Sequence, residues 1–466
     1  MTRRILVLAC ATLLGCGGGG SSSGSSEPLP TPTVGVGTPA PTAAPSPTPT
    51  AVALPAGSLD PTFGSGGIVL VDVLPTLAAL TDLAIDAQDG LAILAWTLDD
   101  REVQRQVAVL RRNADGSPNV AFGSDGFVET AVAPRLAPCT ERPCDDAPTS
   151  LLVLPDGRVL VSVVVDSQAL EPDQTRGVLV LYRSDGSLDP DFGDGGVRSL
   201  SALRSPARVS DLQYDSAGRI VGVGVLGGAF ADFRFTVARL RADLALDGGF
   251  GIDGFASAAA RDDLAPGFGR AGVRPDDGIV AGGGSGTYGY RRPEIAAFAS
   301  DGTLDTSFGR DGFVTEVPAE LDRMAGVDAL AVDAEGRITA AIDDRLVRYT
   351  PAGNLDDGFG DGGVVPAGFL VSQVIALPDG RVLVTGNVPG VGGILTRWNA
   401  DGSPDSSFGD RGATVIAPID GRPARLASAA LDRRGRLVVL GEISGQPEAR
   451  PFVARYLTED ADGFAR

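Results

Sequence analysis

Residues 185–196 read DGSLDPDFGDGG, and this stretch decides the fold because its core recurs along the chain. Each copy ends in Phe-Gly, with Asp or Asn three residues before the Phe and Leu or Pro four before it. The seven copies are SLDPTFG (58–64), SPNVAFG (117–123), SLDPDFG (187–193), ALDGGFG (245–251), TLDTSFG (303–309), NLDDGFG (354–360) and SPDSSFG (403–409). Neighbouring copies begin 49 to 70 residues apart, so the chain is a tandem array of one structural unit.

Each repeat is predicted to form four short strands. In the repeat that begins at Leu80, LTDLAIDA and LAILAWT flank a tight turn at Asp89-Gly90, and RQVAVLRRN and FVETAVA follow. Seven such units favour an all-β fold, a seven-bladed β-propeller of four-stranded antiparallel blades. A linear array or two stacked sandwiches are the alternatives.

The two ends of the array argue for a closed ring. The first copy precedes a lone apolar strand near Ile68–Val73, whereas the chain finishes with FVARYLTEDADG, where a further copy would begin. An apolar strand without a partner is an aggregation hazard that folded proteins avoid. We therefore expect the N-terminal strand to pair with the last blade, residues 427–462, and so to close the ring.

The element DGSLDPDFGDGG, at intervals near sixty residues, resembles the delta-60 repeat of bacterial exported proteins. The resemblance covers residues 57–463, although the copy at 117–123 has Asn in place of Asp. Proteins with such repeats are expected to be propellers, mostly without an assigned activity. The resemblance therefore implies the fold more strongly than it implies a function.

The N-terminus is typical of an export signal. Arg3 and Arg4 precede a short apolar run, residues 5–14, which ends in Leu-Leu-Gly-Cys at Cys16. This resembles a bacterial lipobox, in which the Cys is lipidated and becomes the first residue; an ordinary secretory signal is the alternative. We expect a signal peptide at 1–15, a Gly/Ser then Pro/Thr-rich tether at 16–53 and the propeller at 54–466. The protein is then exported and lipid-anchored to the outer membrane or cell surface of a bacterium.

Composition excludes several classes of function. The chain of 466 residues has no His, and all 39 basic residues are Arg. Catalytic sites and zinc sites that need His or Lys are therefore excluded. A net charge of −20 argues against nucleic acid and anionic membrane surfaces as partners. We expect a monomer without a cofactor, held to the membrane only by its lipid.

The two cysteines beyond the signal, Cys139 and Cys144, lie in CTERPC. Since an exported protein meets an oxidising compartment, a local disulfide is the favoured interpretation. Zinc binding is the weaker alternative, because two thiols without His supply only half of the ligands of a zinc site.

The repeated polar residues are expected to serve the architecture. The motif Asp is predicted to cap its own turn, the Phe to fill the space between blades, and an arginine column on the third strand to pair with nearby carboxylates. That column comprises Arg111, Arg239, Arg348, Arg397 and Arg455. Weak calcium binding by the Asp-rich turns stays open, although the residues at the end of each motif vary.

Function is expected on the variable connections, which antiparallel order places on one face of the propeller. The richest of them, GGGSGTYGYRRPE at 282–294, offers Tyr288, Tyr290, Arg291 and Arg292 as candidate ligand-binding residues. These features favour a non-enzymatic binding module whose partner is a protein or glycan of the cell envelope. A carboxylate-dependent glycosidase or lyase and a structural spacer are the alternatives.

Replacement of the predicted lipidated residue tests the anchor. Cys16→Ser should release the protein from membranes or leave its signal uncleaved, because no thiol remains to carry the lipid. Membrane fractionation and the mass of the mature chain measure this outcome. Unchanged fractionation and processing would contradict the prediction.

Overall fold

A computed structural model describes residues 54–72, 77–99, 104–136, 144–167, 176–200, 207–226, 234–259, 269–287, 290–314, 316–318, 321, 326–444 and 450–459. The predicted signal peptide and tether, with Cys16, lie outside these residues. The described residues form seven antiparallel sheets and one short helix, so the predicted seven-bladed propeller is confirmed.

The elements follow one another blade by blade. β1 (Ile68–Leu70) precedes blade 1, which contains β2 (Leu77–Ile85), β3 (Leu91–Leu98), β4 (Arg105–Arg112) and β5 (Phe127–Thr130). After α1 (Ala133–Leu136), blade 2 contains β6 (Cys144–Val153), β7 (Val159–Ser167), β8 (Arg176–Tyr182) and β9 (Val197–Ser199). Blade 3 contains β10 (Ala207–Tyr214), β11 (Ile220–Leu226), β12 (Arg234–Leu240) and β13 (Phe255–Ala259). Blade 4 contains β14 (Arg270–Val273), β15 (Ile279–Thr287) and β16 (Tyr290–Phe298).

The remaining strands belong to three blades. Blade 5 contains β17 (Ala329–Val332), β18 (Ile338–Ile342), β19 (Arg345–Tyr349) and β20 (Val364–Pro366). Blade 6 contains β21 (Leu370–Ala376), β22 (Val382–Val388), β23 (Gly392–Trp398) and β24 (Ala413–Val415). Blade 7 contains β25 (Ala424–Leu431), β26 (Leu437–Ile443) and β27 (Arg450–Tyr456), and β1 is its fourth strand.

The blades stand in a closed ring. The first strand of each blade contacts the first strands of both neighbours, and β25 of blade 7 contacts β2 of blade 1. Seven clusters of buried apolar side chains lie between adjacent blades, one at each junction. The core is therefore divided among the junctions, and each blade depends on its two neighbours for burial of its faces.

The predicted closure of the ring is confirmed. β1 pairs antiparallel with β27, with Ile68 opposite Ala454 and Leu70 opposite Phe452. The N-terminal segment continues the contact, since the Gly57 N–H donates to the carbonyl oxygen of Leu457 at 2.7 Å. Both ends of the chain thus belong to blade 7.

The repeated element fills the roles expected of it. In all seven copies the Oδ1 of the motif Asp or Asn accepts the backbone N–H two residues further on, so the predicted turn-capping role is confirmed. The motif Phe is at most 3% exposed in every copy. Its ring meets the turn of the next blade, and a Cβ added at Gly116 would lie 3.0 Å from the Phe63 ring.

Blade 4 departs from the four-strand plan. Its fourth strand is reduced to residues 313–314, where Phe313 bridges Ala296 and the Val314 N–H donates to the Ile295 carbonyl oxygen at 3.0 Å. Its second and third strands are correspondingly long, because β15 and β16 pair from Ile279 opposite Phe298 out to Thr287 opposite Tyr290.

Removal of the closing strand tests the ring. Deletion of residues 54–75 from the full chain should lower the melting temperature by roughly 10 °C or more, since buried Phe63 alone contributes several kcal/mol. The exposed edge of β27 should also cause self-association. Thermal melting and analytical ultracentrifugation measure these effects. If the truncated chain melts at the same temperature as the full chain and stays monomeric, closure by the N-terminal strand does not contribute to the stability of the propeller.

Candidate functional site

The two faces of the propeller differ in construction. The turns between first and second strands and between third and fourth strands lie on one face, here called the motif face. The connections between second and third strands and between blades lie on the other, here called the variable face. This follows from the antiparallel order of every sheet, as the sequence predicted.

Carboxylates of the motif face are occupied by arginines. In blade 7 the Nε of Arg455 donates to Asp60 Oδ2 at 2.8 Å, and Arg436 Nη1 donates to the same oxygen at 2.9 Å. The Arg455 guanidinium also lies 4.6 Å from the centre of the Phe63 ring. Equivalent pairs are Arg239–Asp247, Arg348–Asp356 and Arg397–Asp405. The arginine column therefore pairs with carboxylates, as predicted.

This network lowers the pKa of Asp405. Burial raises the pKa of Asp405, but hydrogen bonds from Ser407 and Arg381 and the charge of Arg397 outweigh it and hold the pKa at about 2. In blade 1, where the motif has Asn119, Arg111 pairs with Asp86 instead. A carboxylate that stays ionised at neutral pH within such a network is a poor general acid, so Asp405 is poorly suited to that role.

The inner ring of first strands carries a second set of polar residues. Five of the seven first strands have a β-bulge at the equivalent position. At this equivalent position the bulge is followed by a polar residue in each of the five strands: Asp82, Ser150, Asp211, Gln373 and Ser428. Bulges redirect side chains and often occur beside functional sites, so this ring is a candidate site.

Asp82 joins three blades within this ring. Its Oδ1 accepts hydrogen bonds from the Leu83 N–H at 2.8 Å and from Ser428 Oγ of blade 7 at 3.1 Å. Its Oδ2 accepts from Ser150 Oγ at 3.0 Å and from the Leu151 N–H of blade 2 at 3.2 Å. Burial raises the pKa of Asp82, and these donors oppose the rise.

The same bracing continues into blades 3 and 4. Ser150 Oγ accepts from the Leu212 N–H at 3.3 Å, and Asp211 Oδ2 accepts from the Ala271 N–H at 2.8 Å. Burial raises the pKa of Asp211 to about 6, and the charge of Asp82 acts in the same direction against the Ala271 hydrogen bond. Two interacting carboxylates with raised pKa values thus lie on the inner ring, and their described hydrogen bonds hold neighbouring blades together.

A cleft opens on the variable face between blades 6 and 7. Its volume is about 220 Å³. We call it the blade 6–7 cleft. It is lined by Leu370, Asn387, Val388, Pro389, Gly390, Val391, Gly392, Pro423, Arg425 and Ser444. Leu370 and Val391 are 51% and 49% exposed, and Arg425 is exposed as well. The cleft therefore combines apolar walls with one cation.

Asn387 fixes the spacing of the two blades at this cleft. Its Nδ2 donates to the carbonyl oxygen of Leu426 at 2.9 Å, and its Oδ1 accepts from the N–H of Leu426 at 2.8 Å. The Asn387 side chain thus makes with the Leu426 backbone the two hydrogen bonds that a residue of a neighbouring strand would make. A cleft held in this way is preformed, which lowers the entropic cost of binding.

The candidate ligand-binding residues predicted from the sequence do not lie at the blade 6–7 cleft. Tyr288 lies outside the described residues, the side chains of Tyr290 and Arg291 are likewise outside them, and Arg292 is exposed. The expectation of a loop over 282–294 was wrong, because β15 and β16 pair as far as Thr287 opposite Tyr290. The Gly-rich composition of this segment concealed the pairing. It belongs to blade 4, so it does not join the blade 6–7 cleft.

The other sequence-based site predictions stay predictions. Cys139 and the side chain of Cys144 lie outside the described residues, and so does their proposed disulfide. The cleft residues were missed, although the segment VPGVGG at 388–393, a turn with an apolar residue between glycines, is a signal that could have indicated them.

Two further properties concern the described part of the chain alone. It contains no group of three or more Cys, Asp or Glu residues arranged to hold a metal ion. None of its helices has the length and apolar character needed to cross a bilayer.

Comparisons with known proteins agree with the fold. Residues 274–308 and 377–408 match a family described as a domain of unknown function (DUF5122) beta-propeller. No curated protein matches the chain.

Several solved structures are similar. The beta-propeller domain of the Trilobed protease from Pyrococcus furiosus is 12% identical with a TM-score of 0.45, over 84% of this chain and all of that one. A PL25 polysaccharide lyase, an ulvan lyase, is 12% identical with a TM-score of 0.42, over 87% and 96% of the two chains. An acylaminoacyl peptidase is 13% identical with a TM-score of 0.45, over 83% of this chain and 53% of its own.

The raised pKa of Asp211 gives stability a defined pH dependence. The folded chain binds this proton more tightly than the unfolded chain, so Asp211 makes the protein more stable as the pH falls from above 6 towards 4. Asp211→Asn keeps an acceptor for the Ala271 N–H and should remove this part of the dependence, about 2 kcal/mol. Thermal melts between pH 4.5 and 7.5 measure it.

Asp357→Asn, at an exposed position of the motif face, is the matched control and should retain the pH profile of the unaltered chain. An Asp211→Asn protein with the same profile would mean that Asp211 titrates alike in both states.

Proposed function

We propose that this protein is a lipid-anchored propeller of the bacterial cell envelope, with delta-60 type repeats, and that it acts as a non-enzymatic binding module through its variable face. The anchor rests on the lipobox-like sequence that ends at Cys16. The binding role rests on the exposed apolar end of blade 6.

Three large apolar side chains are exposed at the variable-face end of blade 6. Leu370 begins its first strand, Val391 lies in the turn between its second and third strands, and Val415 ends its fourth. They are 51%, 49% and 50% exposed. Half of the exposed large apolar residues in the described part of the chain therefore lie at one end of one blade. A concentration of this kind marks a surface that binds a partner.

The distribution of charge on the two faces also supports binding at the variable face. Exposed carboxylates accumulate on the motif face, where the turn residues Asp115, Asp185, Asp301 and Asp401 each lie just before a turn glycine. An envelope partner that carries negative charge is repelled there. The variable face at blades 6 and 7 instead presents Arg422 and Arg425 as exposed cations.

A carboxylate-dependent glycosidase or lyase is the second candidate, and Asp211 is the observation that favours it. Its raised pKa, about 6, suits a general acid or base. Against this role, Asp211 and Asp82 both accept backbone hydrogen bonds from the next blade. We therefore give them a bracing role within the ring.

Capture of envelope components tests the proposed face. Full-length protein, solubilised in detergent and immobilised, should retain a defined component of an envelope extract. The double variant Leu370→Ser/Val391→Ser should lose it, because the exposed apolar contact is gone. Quantitative mass spectrometry compares the captured components.

The double variant Val120→Ser/Ile252→Ser is the matched control, since both residues are exposed apolar side chains of the motif face. It should retain the component. Loss in the control as well would argue against the variable face, and capture of nothing by any form would favour a spacer.

A further inference from the structure

We infer that the blade 6–7 cleft binds an extended peptide segment that places one aliphatic side chain in the cleft and a carboxylate against Arg425. This inference rests on the proposed function, because it names the ligand class of the same face.

The size of the cleft favours a side chain over a whole small molecule. Its volume of about 220 Å³ lies below the range of about 300–1,000 Å³ that is typical of small-molecule pockets. Leu370, Val388 and Val391 face it from blade 6, and Pro423 faces it from blade 7. The side chains of these four residues are apolar, so an aliphatic side chain is complementary to this part of the lining, whereas Asn387, Arg425 and Ser444 form its polar part.

The charge at the rim favours a carboxylate. Arg425 makes no side-chain hydrogen bond or ion pair with the described residues, and the same holds for Arg422, which precedes Pro423. Many other arginines of this acidic chain pair with carboxylates; Arg381, for example, pairs with three. Glu442 lies opposite Arg425 in the register of β25 and β26, but no ion pair joins the two side chains. The Arg425 guanidinium beside the cleft is therefore complementary to the side chain of Asp or Glu or to a C-terminal carboxylate.

The lining argues against a glycan. It contains no aromatic residue, whereas a sugar ring packs most favourably on an aromatic face. A peptide needs no such platform, since its backbone and one aliphatic anchor provide the contact area.

The cleft is also rigid enough to select a side chain. The Asn387 amide holds the backbone of Leu426, as described above, and Gly392 brings the blade 6 turn against blade 7. Gly392 has a φ of +134°, and a Cβ at this position would lie 2.9 Å from the carbonyl oxygen of Ala424. Since this approach is available only to glycine, the turn holds Val391 at a fixed place beside the cleft.

An array of immobilised random nine-residue peptides, probed with fluorescently labelled full-length protein in detergent, tests the inference. Bound peptides should be enriched in an aliphatic residue next to Asp, Glu or the free C-terminus. Arg425→Gln should bind the selected peptides about threefold to tenfold more weakly and should lose the preference for acid, because one charge-assisted contact is removed. Val391→Ser should lose the aliphatic preference.

Two matched controls keep the result specific. Arg434→Gln removes the same charge from an exposed position of the motif face of blade 7, and Val120→Ser removes an exposed valine from the motif face of blade 1. Both should bind as the unaltered protein does. Circular dichroism melts of every variant exclude unfolding as the cause of a loss.

The remaining outcomes separate this inference from the function on which it rests. Binders without the aliphatic-acid pattern that still depend on Val391 would overturn the ligand class and retain the variable face. Binders unaffected by either cleft variant would overturn both. No binders, with self-association that Val391→Ser removes, would make a second copy of the chain the occupant and overturn the peptide.

Discussion

The Phe-Gly step of the repeat is the contact on which the rest of the structure depends. In blade 7 the buried ring of Phe63 meets Gly116 in the turn of blade 1, and the Gly64 N–H donates to the Asp115 carbonyl oxygen of that turn at 2.9 Å. The same hydrogen bond recurs at five further junctions, from the glycines at 123, 251, 309, 360 and 409. It also explains closure, because Gly409 of blade 6 donates to the carbonyl oxygen of Ala56, which the N-terminal segment supplies to blade 7.

The contact of each motif Phe-Gly with the turn of the next blade, here called the latch, sets the positions of two polar networks, one on the motif face and one on the inner ring. The third-strand arginine stacks on the latch Phe and pairs with the motif Asp, so the carboxylates of the motif face are committed to structure. On the inner ring, Asp82 and Asp211 hold successive first strands together. Since both networks join blades, their carboxylates contribute to the assembly of the ring.

The features predictable from the sequence are those that recur. The spacing of the motif predicted seven blades, and the unmatched strand near Ile68 predicted closure, because a local pattern repeated seven times constrains the topology. The cleft could not be predicted in this way. The exposure of Leu370 and Val391 depends on how far blade 7 stands from blade 6, and that distance follows from the contact of Asn387 with Leu426, residues 39 positions apart.

The same reasoning explains why the proposed site lies at one junction of a sevenfold structure. An interaction repeated at every blade must be compatible with every junction, so the repeated residues are those that serve packing and turn geometry. A partner that binds once has to contact residues that one junction holds and the others lack. At the junction of blades 6 and 7, Gly392 allows the turn to approach Ala424, and the Asn387 amide binds the backbone of Leu426. Arg425 forms no ion pair with the described residues, although Glu442 lies opposite it in the register of β25 and β26. Gly392, Asn387 and Arg425 lie together in the lining of the blade 6–7 cleft, where we propose that the ligand binds.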